Sequence, residues 1–257
     1  MQTRLYRSIA ALYSRVNFRK YIKPFSLPIY VIGDIHGQLA AFEKALRAIE
    51  EDGGTNAPIV IIGDLVDRGA DSRRVIDLAM EQQSSGKPIV VLKGNHDRMF
   101  EYFMQSPPRH DPLLRVGHHW FHEALGGVET MASYSVEVRE DLQLRQVHER
   151  ALEQVPEAHV AFLKTLPTHY DQGEVFFVHA GIRPNIQLEQ QTEDDLLWIR
   201  KEFLGFAAPH PKLHVHGHTP EKGPKQYSNR INVDGGANYG RPLVPVAIEA
   251  GEMRALF

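Results

Sequence analysis

The chain has 257 residues, 42% of them hydrophobic and 24% charged, which is enough apolar sequence to form the core of one large domain or two small ones. Its formal net charge of −3, with 14 histidines counted as neutral, does not suggest binding to nucleic acid. The absence of cysteine excludes disulfides, thiolate metal ligands and a cysteine nucleophile, and it favours a cytoplasmic protein. No apolar run approaches the roughly 20 residues that a membrane-spanning helix needs.

Residues 1–28 are predicted to form a basic helical extension ahead of the main domain. Six lysines and arginines and no acidic residue lie within the first 25 positions. Four aliphatic side chains follow helical spacing, namely Leu5, Ile9, Leu12 and Val16. Such a helix can pack on the body of the protein or on a partner, and the alternative is weak contact with an anionic membrane surface.

Five apolar runs rich in β-branched residues follow along the chain: "LPIYVIGDIHG", "APIVIIGDLVDRG", "KPIVVLKGNHD", "GEVFFVHAGIRP" and "KLHVHGHTP". Each has the length of a buried strand and ends at a glycine-marked turn that carries polar residues. These polar residues are Asp34 and His36, then Asp64, Asp67 and Arg68, then Asn95 and His96, then His179, and last His218.

The spacing of the first three runs predicts βαβ units. Asp34 and Asp64 lie 30 positions apart, Asp64 and Asn95 lie 31 apart, and helical patterns stand between them. Ligands of such sheets collect outside the carboxyl ends of the strands, so the five polar clusters are expected to converge on one site. A single cluster is typical of a turn or a helix cap, but five in order favour a functional site.

The segment from about residue 98 to residue 174 is the longest stretch between these motifs, and it is predicted to be helical. Within it, Val160, Leu163 and Leu166 indicate a helix packed on the body. We expect this segment to cap the site and to select the substrate. Residues 29–257, with this cap, are predicted to form one catalytic domain.

The motifs "GDIHG", "GDLVDRG" and "GNHD", followed by "HAGIRP" and "GHTP", resemble those of the calcineurin-like metallophosphoesterase superfamily, and within it the phosphoprotein phosphatase branch. The resemblance covers the chain from about residue 29 to its C-terminus. It implies an α/β fold of four layers, in which two mixed β-sheets are flanked by helices. It also implies a binuclear metal centre that hydrolyses phosphate esters with activated water.

By the same resemblance, Asp34 and His36 would bind the first metal ion, and Asp64 would bridge both ions. The second ion would be completed by Asn95, His179 and His218. This set of carboxylates, amide and imidazoles suits Mn, Fe or Zn better than Ca. Two Mn ions are expected from the resemblance to bacterial members.

Four further residues resemble the catalytic and substrate-binding groups of that branch. His96 would be the general acid that protonates the leaving group, and Asp67 would hold its orientation. Arg68 would grip the phosphoryl oxygens. Arg200, in "DLLWIR", resembles a second phosphate-binding arginine, and the alternative is that it covers Trp198 or pairs with a nearby acid.

Other histidines compete for a metal role. His216 precedes His218 by two positions, but the resemblance assigns the ligand to His218. Strand alternation predicts that both side chains lie on one face, near the site. His118, His119 and His122 match no ligand position and are expected to be structural or to line the cap, and not to bind metal.

The predicted function is that of a bacterial-type protein phosphatase on phosphoserine or phosphothreonine, with phosphotyrosine as a further candidate. The alternative is a symmetrical dinucleoside tetraphosphate hydrolase. Enzymes of that group carry a motif similar to "GDLVARG" where this chain has "GDLVDRG", so Asp67 favours the phosphatase. "GNHD" differs from the Glu-ending form of eukaryotic phosphatases and weakens a strict serine/threonine assignment. A phosphoprotein or a small phosphorylated molecule is the expected partner, and no nucleic acid is. A binding scaffold without activity would lose ligands, and all six are present.

Overall fold

The structure is a computed structural model that describes residues 27–257. The basic helix predicted for residues 1–28 falls almost wholly outside this range and stays a prediction. In the described range, each helix is too short or too polar to cross a membrane.

Within residues 27–257, ten strands form two five-stranded sheets. The strands are β1 (Ile29–Ile32), β2 (Ile59–Ile61), β3 (Ile89–Val91), β4 (His169–Gln172), β5 (Val175–Val178), β6 (Leu213–His216), β7 (Lys225–Gln226), β8 (Arg230–Asn232), β9 (Val246–Glu249) and β10 (Glu252–Ala255). Sheet A has the order β10-β9-β1-β2-β3, and sheet B has the order β4-β5-β6-β8-β7. Each has three parallel strands with antiparallel neighbours, β9 and β10 in sheet A and β4 and β7 in sheet B. The prediction of two mixed sheets is confirmed.

The described residues form eight α-helices around the sheets. They are α1 (Leu39–Glu51), α2 (Ser72–Ser84), α3 (Asn95–Phe103), α4 (Gly127–Ser133), α5 (Leu144–Gln154), α6 (Glu157–Thr165), α7 (Glu193–Trp198) and α8 (Lys201–Leu204). Most pack on the outer face of sheet A, while α7 and α8 cover the outer face of sheet B. The molecule therefore has four layers, from helices through two sheets to helices.

The motif-bearing strands are buried on both faces, which explains why their sequences read as unbroken apolar runs. In β1, Val31 faces the space between the sheets, and Tyr30 and Ile32 face the helices. Across that space, Val31 shares a core with Phe177 of β5 and Val215 of β6. This shared core fixes one sheet against the other, and with them the strand ends that carry polar residues.

The segment 98–174 packs into the same core as sheet A. Leu163 of α6, predicted to face the body, is fully buried there. Met131 of α4 and Val147 of α5 are buried in the same cluster. The helical part of the segment is therefore continuous with the body of the domain.

The outer face of sheet B carries three buried histidines. His214 is paired in register with Phe176 on one side and Arg230 on the other, and His210 packs its ring 4.5 Å from that of His214. Burial, with Arg230 as a neighbouring cation, lowers the pKa of His210 to about 4. Burial likewise lowers the pKa of His214 and of His216 to about 3. All three are neutral at neutral pH.

These histidines predict acid sensitivity. In the unfolded chain a histidine has a pKa of about 6.5, so the unfolded state binds more protons between there and about pH 4. The protein therefore keeps its full stability above about pH 6.5, and its free energy of unfolding falls as the pH is lowered below that value. When the pH is lowered from about 7 to about 4.5, the free energy of unfolding should therefore fall by about 2 kcal/mol less in His214→Phe than in the wild type. Urea unfolding at the two pH values tests this, with the exposed His119→Gln as control. An equal loss in His214→Phe and wild type would refute it.

Candidate metal centre

The two sheets bring the six predicted metal ligands together. Asp34, Asp64 and Asn95 lie just beyond β1, β2 and β3, and His179 and His218 lie just beyond β5 and β6. His36 joins them from the turn after β1. All six side chains are almost fully buried, none more than 5% exposed. Buried charge and imidazole in such density need a partner that offsets the lost hydration.

Asp64 belongs to two separate groups of candidate ligands. The ligand atoms of His36, Asp64 and His96 lie within 4.8 Å of one another, and so do those of Asp64, His179 and His218. Asp64 Oδ2 lies 3.5 Å from His36 Nε2, whereas Asp64 Oδ1 lies 3.5 Å from His179 Nε2. The two carboxylate oxygens therefore face different imidazoles, as a carboxylate that bridges two cations would.

Backbone carbonyls orient two of the imidazoles. His36 Nδ1 lies 3.0 Å from the carbonyl oxygen of Val66, and His179 Nδ1 lies 3.0 Å from that of Ile62. Because a carbonyl only accepts, each Nδ1 carries the proton and each Nε2 presents a lone pair to the site.

Acceptor atoms face one another where the second ion is predicted. Asn95 Oδ1 lies 3.0 Å from His179 Nε2, which in this tautomer carries no proton. Asp64 Oδ1 lies beside the same nitrogen. Three acceptors that converge without a proton between them fit a divalent cation.

Burial and mutual repulsion act on the carboxylates. Burial raises the pKa of Asp34 well above its usual value, with Asp234 and Asp64 adding to the effect, although the backbone N–H of His218 donates to both Asp34 oxygens, at 3.0 and 3.2 Å. Burial also acts to raise the pKa of Asp64, but the surrounding imidazoles, first that of His179, hold it below its usual value. A cation between these carboxylates would relieve the repulsion.

Unusual backbone conformations aim the site residues. His36, Asp64, Asp67, Arg68 and His218 all have φ between 48° and 73°, a region that residues other than glycine rarely adopt. Two glycines allow the tight packing that holds this geometry. A Cβ on Gly94 would collide with the Asp64 carboxylate, and a Cβ on Gly217 would collide with that of Asp34. Neither position has room for a side chain.

His96 and Asp67 form a buried pair. His96 Nδ1 donates to Asp67 Oδ2 at 2.6 Å, and the backbone N–H of His96 donates to Asp64 Oδ1 at 2.9 Å. One ring nitrogen of His96 also lies in the first ligand group with His36. The pair has the geometry of a proton donor held by a carboxylate.

Two guanidinium groups point into the site. Arg68 Nη1 lies 2.5 Å from His36 Nε2, and Arg200 Nε donates to His218 Nε2 at 2.9 Å. Among the described residues, neither arginine forms an ion pair with a carboxylate, so the pairing of Arg200 with a nearby acid, one of the two alternatives for it, is not observed. Each leaves donors free for an anion.

Comparison with known proteins gives the family of this chain. The sequence profile of the calcineurin-like phosphoesterase family matches residues 27–240. The chain belongs to this family. A search of curated proteins found no match.

Solved structures share the fold of this phosphoesterase. A candidate diadenosine tetraphosphatase aligns with a TM-score of 0.61 and 20% identity over 90% of this chain and 93% of that chain. A cold-active protein-tyrosine phosphatase from a Shewanella species has a TM-score of 0.56 and 15% identity, covering 90% of this chain and 80% of that one. A serine/threonine phosphatase from Saccharomyces cerevisiae, described as similar to human PP5, has a TM-score of 0.51 and 14% identity, covering 94% and 82%. At these identities the likeness is one of fold.

The phosphoesterase site contains groups that the motifs do not include. Asp234 follows β8, and burial raises its pKa to about 6, with the charge of Asp64 adding to the effect. It had a signal in the sequence, because "RINVDGG" is a further apolar run that ends in an acid before glycine. Trp120 and Thr130 both donate to Asp67, and no local pattern marks them.

The remaining histidines lie away from the ligand groups. The expectation that His216 and His218 share a face is wrong, because the strand ends at His216 and His218 has a φ of 63°. The His216 ring instead packs 5.0 Å from that of Phe203 on the outer side. His118 and His122 stack on each other at 3.8 Å in the segment 98–174.

The shared position of Asp64 predicts that one substitution affects both ligand groups. Asp64→Asn keeps the shape of the side chain but removes the anionic charge that faces both imidazole groups, so we expect the affinity for divalent cations to fall by at least about tenfold. Metal content after equilibrium dialysis measures this. Asp171→Asn, which alters an exposed carboxylate paired with Lys212, is the matched control. Normal metal content in Asp64→Asn would contradict the bridging role.

Proposed function

We propose that this phosphoesterase is a phosphomonoester hydrolase of the protein phosphatase type that uses two divalent cations. The observation that carries the proposal is the position of Asp64, whose two oxygens face separate imidazole groups, beside two guanidinium groups that have no carboxylate partner within residues 27–257. Cation-binding groups and free phosphate-binding groups thus share one buried site.

The donor set fits the ions that the family implies. Asp34 and His36 would hold one ion, and Asn95, His179 and His218 the other, with Asp64 shared. When bound, the ions would lower the pKa of a water molecule and offset charge on the phosphoryl oxygens. Carboxylate, amide and imidazole without thiolate suit Mn, with Fe or Zn as further candidates.

Arg68 and Arg200 would bind the phosphoryl group. Their guanidinium groups reach the site from different elements, since Arg68 lies after β2 and Arg200 lies between α7 and α8. A planar fork of N–H donors matches the oxygens of a phosphoryl group, and both forks have donors to spare. Two forks on one group would hold the phosphorus in place for attack by water.

His96 would complete the reaction at the leaving group. As water adds to phosphorus and the ester P–O bond breaks, His96 would give a proton to the departing oxygen. Asp67, 2.6 Å from His96 Nδ1, would keep the ring in position.

Asp67 also favours a protein phosphatase over the second candidate, a symmetrical dinucleoside tetraphosphate hydrolase. That second candidate draws support from the fold it shares with a candidate diadenosine tetraphosphatase. Asp97, the acid of "GNHD", does not discriminate, because its carboxylate caps the backbone N–H groups of Leu65 and Gly94 at 2.9 and 2.8 Å. The acid at position 67 is the residue type that separates the two motif forms.

The substrate class is tested by phosphate release from the Mn-loaded protein. Matched peptides with phosphoserine, phosphothreonine or phosphotyrosine are compared with a dinucleoside tetraphosphate at equal concentration. We expect at least about a tenfold higher kcat/KM for a peptide, which corresponds to about 1.4 kcal/mol of transition-state binding. Preference for the dinucleotide would overturn the phosphatase assignment in favour of the second candidate.

His96→Ala tests the general acid. Because a poor leaving group needs a proton and a good one does not, the variant should lose about 100-fold or more in kcat on an alkyl phosphate and much less on p-nitrophenyl phosphate. Metal content should stay that of the wild type, and His119→Ala serves as control for loss of a surface imidazole. Equal losses on both esters would assign His96 a positioning or ligand role instead.

A further inference from the structure

The carboxylate that holds His96 is itself held by a residue of the segment 98–174. Trp120 Nε1 donates at 2.9 Å to Asp67 Oδ2, the same oxygen that accepts from His96 Nδ1 at 2.6 Å. Asp67 is fully buried, and Trp120 is only 4% exposed. The indole N–H therefore fixes the acceptor of the His96 hydrogen bond without competition from bulk water.

Thr130 fixes the other oxygen. Its Oγ1 donates to Asp67 Oδ1 at 2.6 Å and accepts from the backbone N–H of Asp67 at 2.9 Å. Three donors, on three separate side chains, thus determine the plane of the Asp67 carboxylate. With Trp120 removed, Oδ2 keeps only the hydrogen bond from the ring that it has to orient.

Trp120 is rigidly placed relative to His96. Its ring stacks on Phe100 with centroids 5.3 Å apart and planes 18° apart, and it packs 5.1 Å from Phe103. Both phenylalanines belong to α3, the helix that carries His96 in its first turn. A Cβ on Gly127 would lie 2.7 Å from the indole, so this glycine leaves room for the ring. This packing holds the indole in one orientation, in which its N–H donates to Asp67.

We propose that Trp120 is a positioning residue for proton transfer to the leaving group. It acts through Asp67, and it keeps the His96 ring in the orientation that delivers its proton to the departing oxygen as the P–O bond breaks. The inference rests on the proposed function, in which His96 is the proton donor. The segment 98–174, predicted to cap the site and to select the substrate, thereby also supports the chemistry.

The consequence is a loss that depends on the leaving group. A misaligned donor slows esters whose leaving oxygen needs a proton, and it leaves p-nitrophenyl phosphate largely unaffected. Because the indole is only 4% exposed, it has little surface with which to contact a substrate, so the loss should fall on kcat and not on KM. If Trp120 only packed against its neighbours, its loss would lower kcat to the same extent on both kinds of ester.

The experiment compares Mn-loaded Trp120→Phe with wild type on a phosphoserine peptide and on p-nitrophenyl phosphate. Phenylalanine keeps an aromatic ring against Phe100 and removes the N–H. We expect kcat on the peptide to fall about 10- to 100-fold, the effect of losing a hydrogen bond to a charged group, and kcat on p-nitrophenyl phosphate to fall less than about threefold. Thr130→Val is the second variant. Like Trp120→Phe, it should lower kcat on the peptide more than kcat on p-nitrophenyl phosphate.

Tyr134→Phe is the matched control. It removes a buried hydrogen bond, that of the Tyr134 hydroxyl to His159 Nδ1 at 2.8 Å, from the same aromatic cluster without touching Asp67. In Tyr134→Phe, the ratio of kcat on the peptide to kcat on p-nitrophenyl phosphate should equal that of the wild type. Metal content of each variant checks that the centre is intact.

An independent readout separates this inference from the proposed function. The proton between His96 Nδ1 and Asp67 gives a downfield NMR resonance, identified by its absence in His96→Ala. In Trp120→Phe it should broaden or move upfield. If the resonance is unchanged in Trp120→Phe, or if that variant loses equal activity on both esters, Trp120 is not a positioning residue. A changed resonance in Trp120→Phe, together with a His96→Ala variant that slows both esters equally, overturns only the general-acid assignment of the proposed function.

Discussion

The structure depends on one buried carboxylate, that of Asp64. It is 2% exposed, with a ring nitrogen of each of four imidazoles within 4.8 Å of one of its oxygens, and it also accepts the backbone N–H of His96. Burial favours the neutral acid, and only positive charge beside the carboxylate outweighs that preference. A charged group at this depth is stable only with cationic partners, which supports the proposed two-ion centre.

The fold supplies the geometry that this carboxylate requires. Sheet A contributes Asp34, Asp64 and Asn95, and sheet B contributes His179 and His218, so neither sheet can build the site alone. The apolar core between the sheets fixes their relative position, and the left-handed residues after the strands turn the ligands inward. The free energy spent on strained backbone at the strand ends is offset by the burial of the two sheets against each other.

Much of this site could be predicted from sequence because its residues follow strands. An apolar run that ends in an acid, amide or histidine before glycine marks both the strand and the ligand, and the same signal was present for Asp234. The presence of two sheets came from the family resemblance, and the division of the five runs between them was not predicted, because local patterns do not encode which strands pair. Trp120 and Thr130 lie 53 and 63 positions from Asp67, and a single hydrogen bond over such a separation leaves no local pattern.

In the proposed function, the carboxylate of Asp64 would hold two cations close together. Electron paramagnetic resonance of the wild-type protein, titrated with Mn from one to two equivalents per chain, tests it most directly. Two ions that share Asp64 would lie about 3.5–4 Å apart and would give the signal of a spin-coupled pair. A spectrum of isolated Mn at two equivalents, or saturation at one ion per chain, would contradict the account.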